Sequence, residues 1–231
     1  MFFLLYITDL PGIINDTHKS KPTIFADDTS IIITHPTISA FKEEINTVIG
    51  KISNWFQTNL LVLNFNKTYY MHFSTKSKFF IEIQLNYKGN PITNTLSTRF
   101  LGLTLDSTLS WNLHIEQLSS KLKSACYVIR LLKTIISTKN LRTVYFAYVH
   151  SIITYGIVFW GSSPNSNNIF KLQKRVIRII MKVDNRVSCR ELFKKLNILP
   201  LHSQYILSIL LFVVNNIHEF TINSDVHSIR T

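Results

Sequence analysis

Two different rhythms of hydrophobic and polar positions divide the chain. In residues 22–34, two runs rich in β-branched side chains flank the adjacent acids Asp27 and Asp28. This pattern predicts a β-hairpin with the acids at or beside its tip. Over residues 37–58, apolar side chains recur at steps of three and four, which predicts an amphipathic helix that covers one face of a sheet.

The rest of the first half has the alternation of short strands. A turn is predicted at residues 88–90, and residues 2–7 read as the end of a buried helix that is closed by Asp9, Pro11 and Gly12. Strands are predicted at residues 61–63, 68–73, 81–86 and 100–105. These elements predict an α+β fold for residues 1–106, an antiparallel sheet with helices on one face.

The second half follows the helical period almost throughout. Gly156, Gly161, Pro164 and Pro200 separate its predicted helices, which cover residues 115–132, 141–153, 168–183, 189–196 and 202–217. The change of pattern at residues 106–111 predicts two domains, 1–106 and 107–231. The apolar run at residues 205–214 is too short to cross a bilayer, so we expect no membrane partner.

Composition argues against wholesale disorder and favours a polyanionic partner. Hydrophobic residues make up 46% of the 231 and charged residues 16%, which is typical of a chain that buries a core. The 25 Lys and Arg against 13 Asp and Glu give a net charge of +12, which suits nucleic acid or an anionic membrane surface. Cys126 and Cys189 lie far apart without metal-type spacing, so we interpret them as small core residues in a reducing compartment.

One predicted helix carries its charge unevenly. At about 100° per residue, five bases fall on one arc without an offsetting acid: Lys171, Lys174, Arg175, Arg178 and Lys182. A solvated face is the ordinary explanation of charge on a helix, but such a face usually mixes signs. A track for the phosphate backbone of nucleic acid is at least as good an interpretation.

The adjacent acids Asp27 and Asp28 are the strongest candidates for chemistry. Neighbouring carboxylates repel each other and are costly to bury unless a cation neutralises them. Mg2+ prefers oxygen ligands, so a two-metal site for nucleotidyl transfer is one interpretation of the pair. The alternative is a solvated turn, because Asp suits turn conformations.

Several blocks of sequence, taken in order, resemble one protein family. They are FFLLYITDLP, FADDTSIII, NWFQTNLLVLNFNKTYYMHF and FLGLTLDSTLSWNLHI, followed by YVHSIITYGIVFWGSS, LQKRVIRIIMK and ELFKKLNILPL. The first four are similar to the end of motif B, motif C, motif D, and the primer grip with the entry to the thumb, in the reverse transcriptases of non-LTR (LINE-type, jockey-like) retrotransposons. The last three resemble the helical region that follows. The resemblance extends from Phe2 to about Asn216, and it is to the C-terminal part of the polymerase.

The resemblance implies a partial polymerase palm followed by an α-helical, thumb-like region, with two Mg2+ or Mn2+ ions as cofactors. Asp27 would bridge the metals, Asp28 would assist, and Lys67 would protonate or stabilise the leaving pyrophosphate. Leu101 and Gly102 would help to seat the primer end, because glycine lets a backbone approach closely. The implied partners are an RNA template, a DNA primer and dNTP. The expected location is the nucleus or the cytoplasm.

Some assignments depend on the family alone. Without it, Lys67 would be read as an ordinary surface residue. Trp111, Tyr155 and Trp160 also match family positions, and we interpret them as core residues.

Parts of the family's catalytic site lie upstream of motif C: the fingers, motif A with a further metal-binding Asp, and the body of motif B. In this sequence 26 residues precede Asp27, and the acids among them, Asp9 and Asp16, do not fall where motif A does. We therefore expect weakened metal binding and little or no polymerase activity from residues 1–231 alone. Because the sheet would lack the motif A strand, we also expect marginal stability or aggregation.

Two other functions remain open at this stage. A basic nucleic-acid-binding module without chemistry would use the same positively charged helices. A membrane-surface or partner-binding helical protein would also be positively charged and apolar, but it leaves the ordered motifs unexplained.

Overall fold

A computed structural model describes residues 6–14, 20–26, 28–73 and 83–221 of the chain. In these ranges the strands are β1 (Ser20–Phe25), β2 (Asp28–Ile33), β3 (Tyr69–Tyr70), β4 (Leu85–Tyr87), β5 (Asn90–Asn94), β6 (Ser97–Phe100) and β7 (Leu103–Asp106). The helices are α1 (Leu10–Ile14), α2 (Ile38–Thr58), α3 (Asn112–Leu132), α4 (Thr138–Val144), α5 (Ser151–Thr154), α6 (Ile157–Trp160), α7 (Ser166–Ile180), α8 (Arg190–Leu196) and α9 (Leu201–Asn215). The predicted α+β class is confirmed, and the chain divides into two compact units, Met1–Leu96 and Ser97–Thr231.

The hairpin predicted around the two acids is present, and we call β1, β2 and the two residues between them the acid hairpin. Its strands pair antiparallel from Ser20 opposite Ile33 to Phe25 opposite Asp28. Alternation along the strands turns Ile24 and Ile33 toward a core and leaves Phe25 and Asp28 exposed. The polar end of the hairpin is therefore held in place by its apolar inner face.

Helix α2 organises the first unit. Val48 and Trp55 of this helix pack in a core with α1 and the acid hairpin. Ile45 packs in a second small core with Leu85 of β4. Ile33 contacts both cores, so the helix covers the hairpin and the neighbouring sheet, as its period predicts.

The start of the chain differs from the prediction. Pro11 and Gly12, which were expected to close a helix, lie inside the first turn of α1. Proline is tolerated there because the first N–H groups of a helix have no intrahelical acceptor. The indole Nε1 of Trp55 donates a hydrogen bond to Oδ2 of Asp9 (3.1 Å), which ties this segment to α2. Residues 2–5 of the helix predicted over residues 2–7 lie outside the described residues.

The expected single antiparallel sheet is wrong for the described strands, which form three small sheets. β5 pairs antiparallel with β4 through the predicted turn at residues 88–89, but it pairs parallel with β3. Residues 61–63 form no strand, and the chain continues into a 3-10 turn, Phe65–Lys67. The two asparagines around Phe65 favour local turns over a strand ladder, which explains this difference. Residues 81–82 of another predicted strand lie outside the described residues, and that strand begins at Leu85.

The hairpin of β6 and β7 replaces the single strand predicted at residues 100–105, and it belongs to the second unit. Leu101 and Gly102 form its two-residue turn with φ of 44° and 79°. Two-residue hairpin turns require such positive φ values, for which leucine is an unusual choice. The sequence pattern therefore conceals the turn, and the boundary between units falls before the predicted boundary at residues 106–111.

Among the described residues, those of the second unit form the larger core. Helices α3 and α7 pack along each other, and the fully buried side chains around them include Leu122, Ile129, Tyr145, Trp160 and Ile177. The helix predicted over residues 141–153 is α4, a π-helical turn at Tyr145–His150, and α5. Cys126 and Cys189 are buried free thiols whose pKa is raised by burial, as expected of core cysteines.

A buried glutamine connects three parts of this core. Gln173 of α7 donates from Nε2 to the hydroxyl of Tyr145 (2.9 Å) and to the carbonyl of Leu199 (3.0 Å). Its Oε1 accepts the backbone N–H of Leu201, at the start of α9 (2.9 Å). Burial raises the pKa of Tyr145 to about 12, although the bond from Gln173 acts in the opposite direction.

Helix α9 exposes apolar side chains along most of its length, including Ile206, Leu210, Leu211, Phe212 and Val214. In the parts of the chain that the structure describes, no single helix is long and apolar enough to span a membrane. By length and composition alone, the bent pair α8 and α9 together would be.

Candidate functional site

Asp28 lies at the first position of β2, directly after the turn of the acid hairpin. Its partner across the hairpin is Phe25, whose side chain is 60% exposed on the same outward face. Ala26, in the turn, has a φ of 54°, which two-residue turns require. Asp27, the other predicted metal ligand, lies outside the described residues. The structure therefore places one of the two acids, at the polar end of the hairpin.

Asp28 suits a hard divalent cation in chemistry but does not make a complete site. Its carboxylate is exposed, and carboxylate oxygen is the donor that Mg2+ and Mn2+ prefer. Within the described ranges, no group of three or more His, Cys, Asp or Glu side chains is arranged to hold a metal ion. A two-metal centre would need ligands besides those that the structure describes.

Lys67 is exposed at the end of the 3-10 turn that follows α2. Its backbone N–H donates to the carbonyl of Asn64 (3.0 Å), so the turn itself is well defined. Lys67 and Asp28 both belong to the first unit, and no ion pair joins these two described side chains. The catalytic role of Lys67 therefore stays a prediction.

The turn Leu101–Gly102 is held from behind by Tyr155. The hydroxyl of Tyr155 donates a hydrogen bond to the carbonyl of Leu101. A Cβ at Gly102 would lie 3.1 Å from that hydroxyl oxygen. Because glycine has no side chain, the ring of Tyr155 can lie close to the backbone of the turn. Tyr155 is 54% exposed, which makes its interpretation as a core residue wrong, whereas Trp160 is fully buried as expected. Trp111 is partly buried against the same core.

Asp106 fixes the junction between β7 and α3. Its carboxylate accepts the backbone N–H groups of Thr108, Ser110 and Trp111, and the hydroxyls of Thr108 and Ser110. Burial raises the pKa of Asp106, but the hydrogen bonds together lower it below its ordinary value. The carboxylate is therefore a structural cap, and its pattern, an acid followed by Ser and Thr, is typical of tight turns.

Four of the five predicted phosphate-binding bases lie on α7. Lys171 and Arg175 are exposed, while Nζ of Lys174 lies 4.6 Å from the ring centroid of Phe170. Arg178 donates from Nε to the carbonyl of Val187 (2.9 Å). Two of the bases therefore also have structural contacts, and Lys171 and Arg175 are the best placed for a partner.

Lys182 is not on the helical arc, because α7 ends at Ile180. Lys182 has a φ of 54°, and the N–H of Val183 bonds to the carbonyl of Arg178 (3.1 Å). The N–H of Lys182 bonds to the carbonyl of Ile179 (3.2 Å), which completes a Schellman-type helix end. The prediction of five bases on one helix face is corrected to four.

A second basic feature was not predicted. Arg99 of β6 and Lys121 of α3 line one polar cleft with Gln117, Ser120 and Thr104. The signal was present in the sequence, because Gln117, Ser120 and Lys121 have the spacing of one helix face. It could not be connected to Arg99 without knowing that residues 97–106 form a hairpin.

The chain is similar over 194 residues to the probable RNA-directed DNA polymerase from transposon BS of Drosophila melanogaster, with 24% identity. The match covers 82% of this chain and 21% of the fly protein, so the chain spans about a fifth of that relative's length. No protein-family model matches the chain, and no solved structure matches it. The similarity supports a distant relationship to reverse transcriptases.

Proposed function

We propose that this chain is part of a reverse transcriptase of the non-LTR, jockey-like retrotransposon type. The first unit contributes part of the polymerase palm, and the second unit holds nucleic acid as a thumb-like region. The similarity to the fly transposon polymerase over 194 residues carries the proposal. It is supported by the acid hairpin and by the net charge of +12.

The proposed catalytic groups belong to the first unit. Asp27 and Asp28 are the ligands that this chain offers to Mg2+ or Mn2+. Ions bound there would stabilise charge on the attacking 3′-oxygen and the leaving pyrophosphate. Lys67, which is exposed, is positioned in this proposal to stabilise or protonate the pyrophosphate. In the second unit, the turn Leu101–Gly102 seats the primer end, and Tyr155 supports that turn from behind.

Manganese binding tests the role of the two acids. Free Mn2+ is counted by electron paramagnetic resonance during titration of the purified chain and of Asp27→Asn/Asp28→Asn. The matched control is Glu43→Gln/Asp184→Asn, which removes the same charge at two exposed acids elsewhere. We expect weak binding that is lost in the hairpin variant and kept in the control. Equal binding by all three proteins would contradict the proposed site.

A two-metal centre needs more ligands than Asp27 and Asp28, so we propose that residues 1–231 alone do not polymerise. RNA-templated extension of a DNA primer is measured with Mg2+ and with Mn2+, for the unchanged chain and for Asp27→Ala. We expect no product from either protein. Robust synthesis by the unchanged chain that disappears in Asp27→Ala would support the polymerase assignment. It would contradict the proposal that the site of residues 1–231 is incomplete.

A nucleic-acid-binding module without chemistry is the second candidate, and α7 favours it. This helix has four bases and no acid. For B-form duplexes, each phosphate contact changes the slope of log affinity against log salt by about 0.9. Lys171→Gln/Arg175→Gln should therefore make that slope shallower by about 1–2. Salt-sensitive binding without Asp27- and Asp28-dependent Mn2+ binding would favour the module over the polymerase.

A further inference from the structure

A cleft in the second unit is lined, among the described residues, by polar and basic side chains. It lies between the β6–β7 hairpin and α3 and has a volume of about 530 Å³. Clefts that take ligands commonly have about 300–1,000 Å³, so there is room for a phosphate with its sugar. Arg99 comes from the strand side of the cleft and Lys121 from the helix side, and both are exposed. Among the described residues, no acidic and no apolar side chain lines it.

Two hydrogen bonds from Thr104 hold the walls of this cleft together. Its backbone N–H donates to Nδ1 of the buried His114 (3.3 Å), and its hydroxyl donates to Oε1 of Gln117 (2.7 Å). Because Oε1 of Gln117 accepts from Thr104, the amide nitrogen of Gln117 remains as a donor for a ligand. The walls are therefore preorganised, which reduces the ordering cost of binding.

The charges around the cleft favour an anion. No carboxylate of the described residues forms an ion pair with Arg99 or Lys121. Asp106 stands opposite Ser97 in the β6–β7 register, but both of its oxygens are engaged by the turn before α3. Burial lowers the pKa of His114, and the positive charge of Lys121 lowers it further. Among the described residues, Arg99, Lys121 and the neutral amide of Gln117 therefore face the cleft without a competing acid.

We propose that this cleft binds a phosphate group of a nucleic-acid backbone. Arg99 and Lys121 neutralise the phosphate from opposite walls, and the amide of Gln117 donates a hydrogen bond to it. The choice of nucleic acid as the source of the phosphate rests on the proposed function. Arg99, Lys121 and Gln117 are not among the site residues that were predicted from the sequence.

Binding of a fluorescent RNA–DNA duplex, titrated at several salt concentrations, tests the cleft. The variant Arg99→Gln/Lys121→Gln is compared with Lys139→Gln/Arg186→Gln, which removes two positive charges from exposed positions of the same unit. A second variant, Gln117→Glu, keeps an oxygen that accepts from the hydroxyl of Thr104 but replaces the amide nitrogen that would donate to the phosphate. Its control is Asn140→Asp. Circular dichroism melting confirms that each variant folds.

We expect the cleft variant to lose at least tenfold in affinity and to have a salt slope shallower by about 1–2. The control pair should change both quantities much less, and Gln117→Glu should weaken binding more than Asn140→Asp. Equal effects of the cleft variant and its control would overturn the cleft and leave the proposed function standing. A chain that binds no duplex would overturn both. If an acidic peptide such as polyglutamate bound in place of the duplex, with the same sensitivity to Arg99 and Lys121, the phosphate assignment would fail.

Discussion

Asp106 shows how much of the second unit depends on one ionised side chain. Five donors from Thr108, Ser110 and Trp111 converge on its carboxylate. The carbonyl of Ser110 in turn accepts the hydroxyl of Ser163, next to α7 (3.0 Å). The turn before α3 is thereby fastened at both ends, and the cleft and the β6–β7 hairpin take their position from it.

The first prediction is that Asp106→Asn destabilises the chain at neutral pH by about 1–2 kcal/mol, because bonds to a charged acceptor are lost. The pKa of Asp106 is lower in the folded protein, so its contribution is complete above the ordinary aspartate pKa of about 3.9 and declines as the pH falls through the folded value. Urea unfolding at pH 7 and at pH 3 measures this difference. Asp184→Asn, in an exposed turn, is the control. A deficit of the same size at both pH values would contradict the assigned role of the charge.

At the scale of elements, the β6–β7 hairpin and the bend between α5 and α6 fit closely. The hydroxyl of Tyr155 donates a hydrogen bond to Leu101 in the hairpin turn, and Gly156 lies against Leu103 of β7. A Cβ on Gly156 would lie 2.6 Å from Cδ2 of Leu103, and its φ of 61° disfavours any other residue. The hairpin proposed to seat a primer is therefore positioned by residues more than fifty positions further along the chain.

The second prediction concerns this glycine. Gly156→Ala should destabilise the chain by about 1–2 kcal/mol, because of its backbone conformation and the contact with Leu103. Gly50→Ala provides the contrast, since nothing lies within 4 Å of a Cβ there and Gly50 is inside α2. That change should stabilise by roughly 0.5–1 kcal/mol. Chemical denaturation measures both, and a neutral or stabilising Gly156→Ala would contradict the described fit.

The period of the sequence predicted the long helices well, because α2 and α7 bury one face along many residues. It also predicted the acid hairpin, whose two strands are adjacent in sequence. The parallel pairing of β3 with β5 could not be predicted, since β3 has two residues and its partner is distant. For the same reason, no local sequence signal predicts that Tyr155 bonds to the carbonyl of Leu101, or that Arg99 and Lys121 line one cleft.

Over the whole molecule, the two units differ in how much apolar surface they bury. Among the described residues, the core of the second unit is one large cluster that joins most of its helices, while those of the first unit form two small clusters around α2. Burial of apolar area is the main stabilising contribution, so we expect the units to differ in stability.

The third prediction follows from this difference. In hydrogen exchange of the native protein, amides of α3 and α7 should have the highest opening free energies. Amides of the acid hairpin and of β3, β4 and β5 should exchange at lower opening free energies. Mass spectrometry of proteolytic fragments measures both sets. Uniform protection across the two units would show that they unfold together, contrary to this expectation.

Iron-directed cleavage tests the proposal that the acid hairpin holds divalent ions at the end of a growing DNA strand. Fe2+ replaces Mg2+ on the chain bound to an RNA–DNA primer–template, and ascorbate with peroxide generates hydroxyl radicals at the bound ion. We expect protein cuts around Phe25–Asp28 and DNA cuts at the primer 3′ end. Both should be lost in Asp27→Asn/Asp28→Asn and retained in Glu43→Gln/Asp184→Asn. Cleavage that is scattered, or unchanged by the hairpin substitutions, would contradict it.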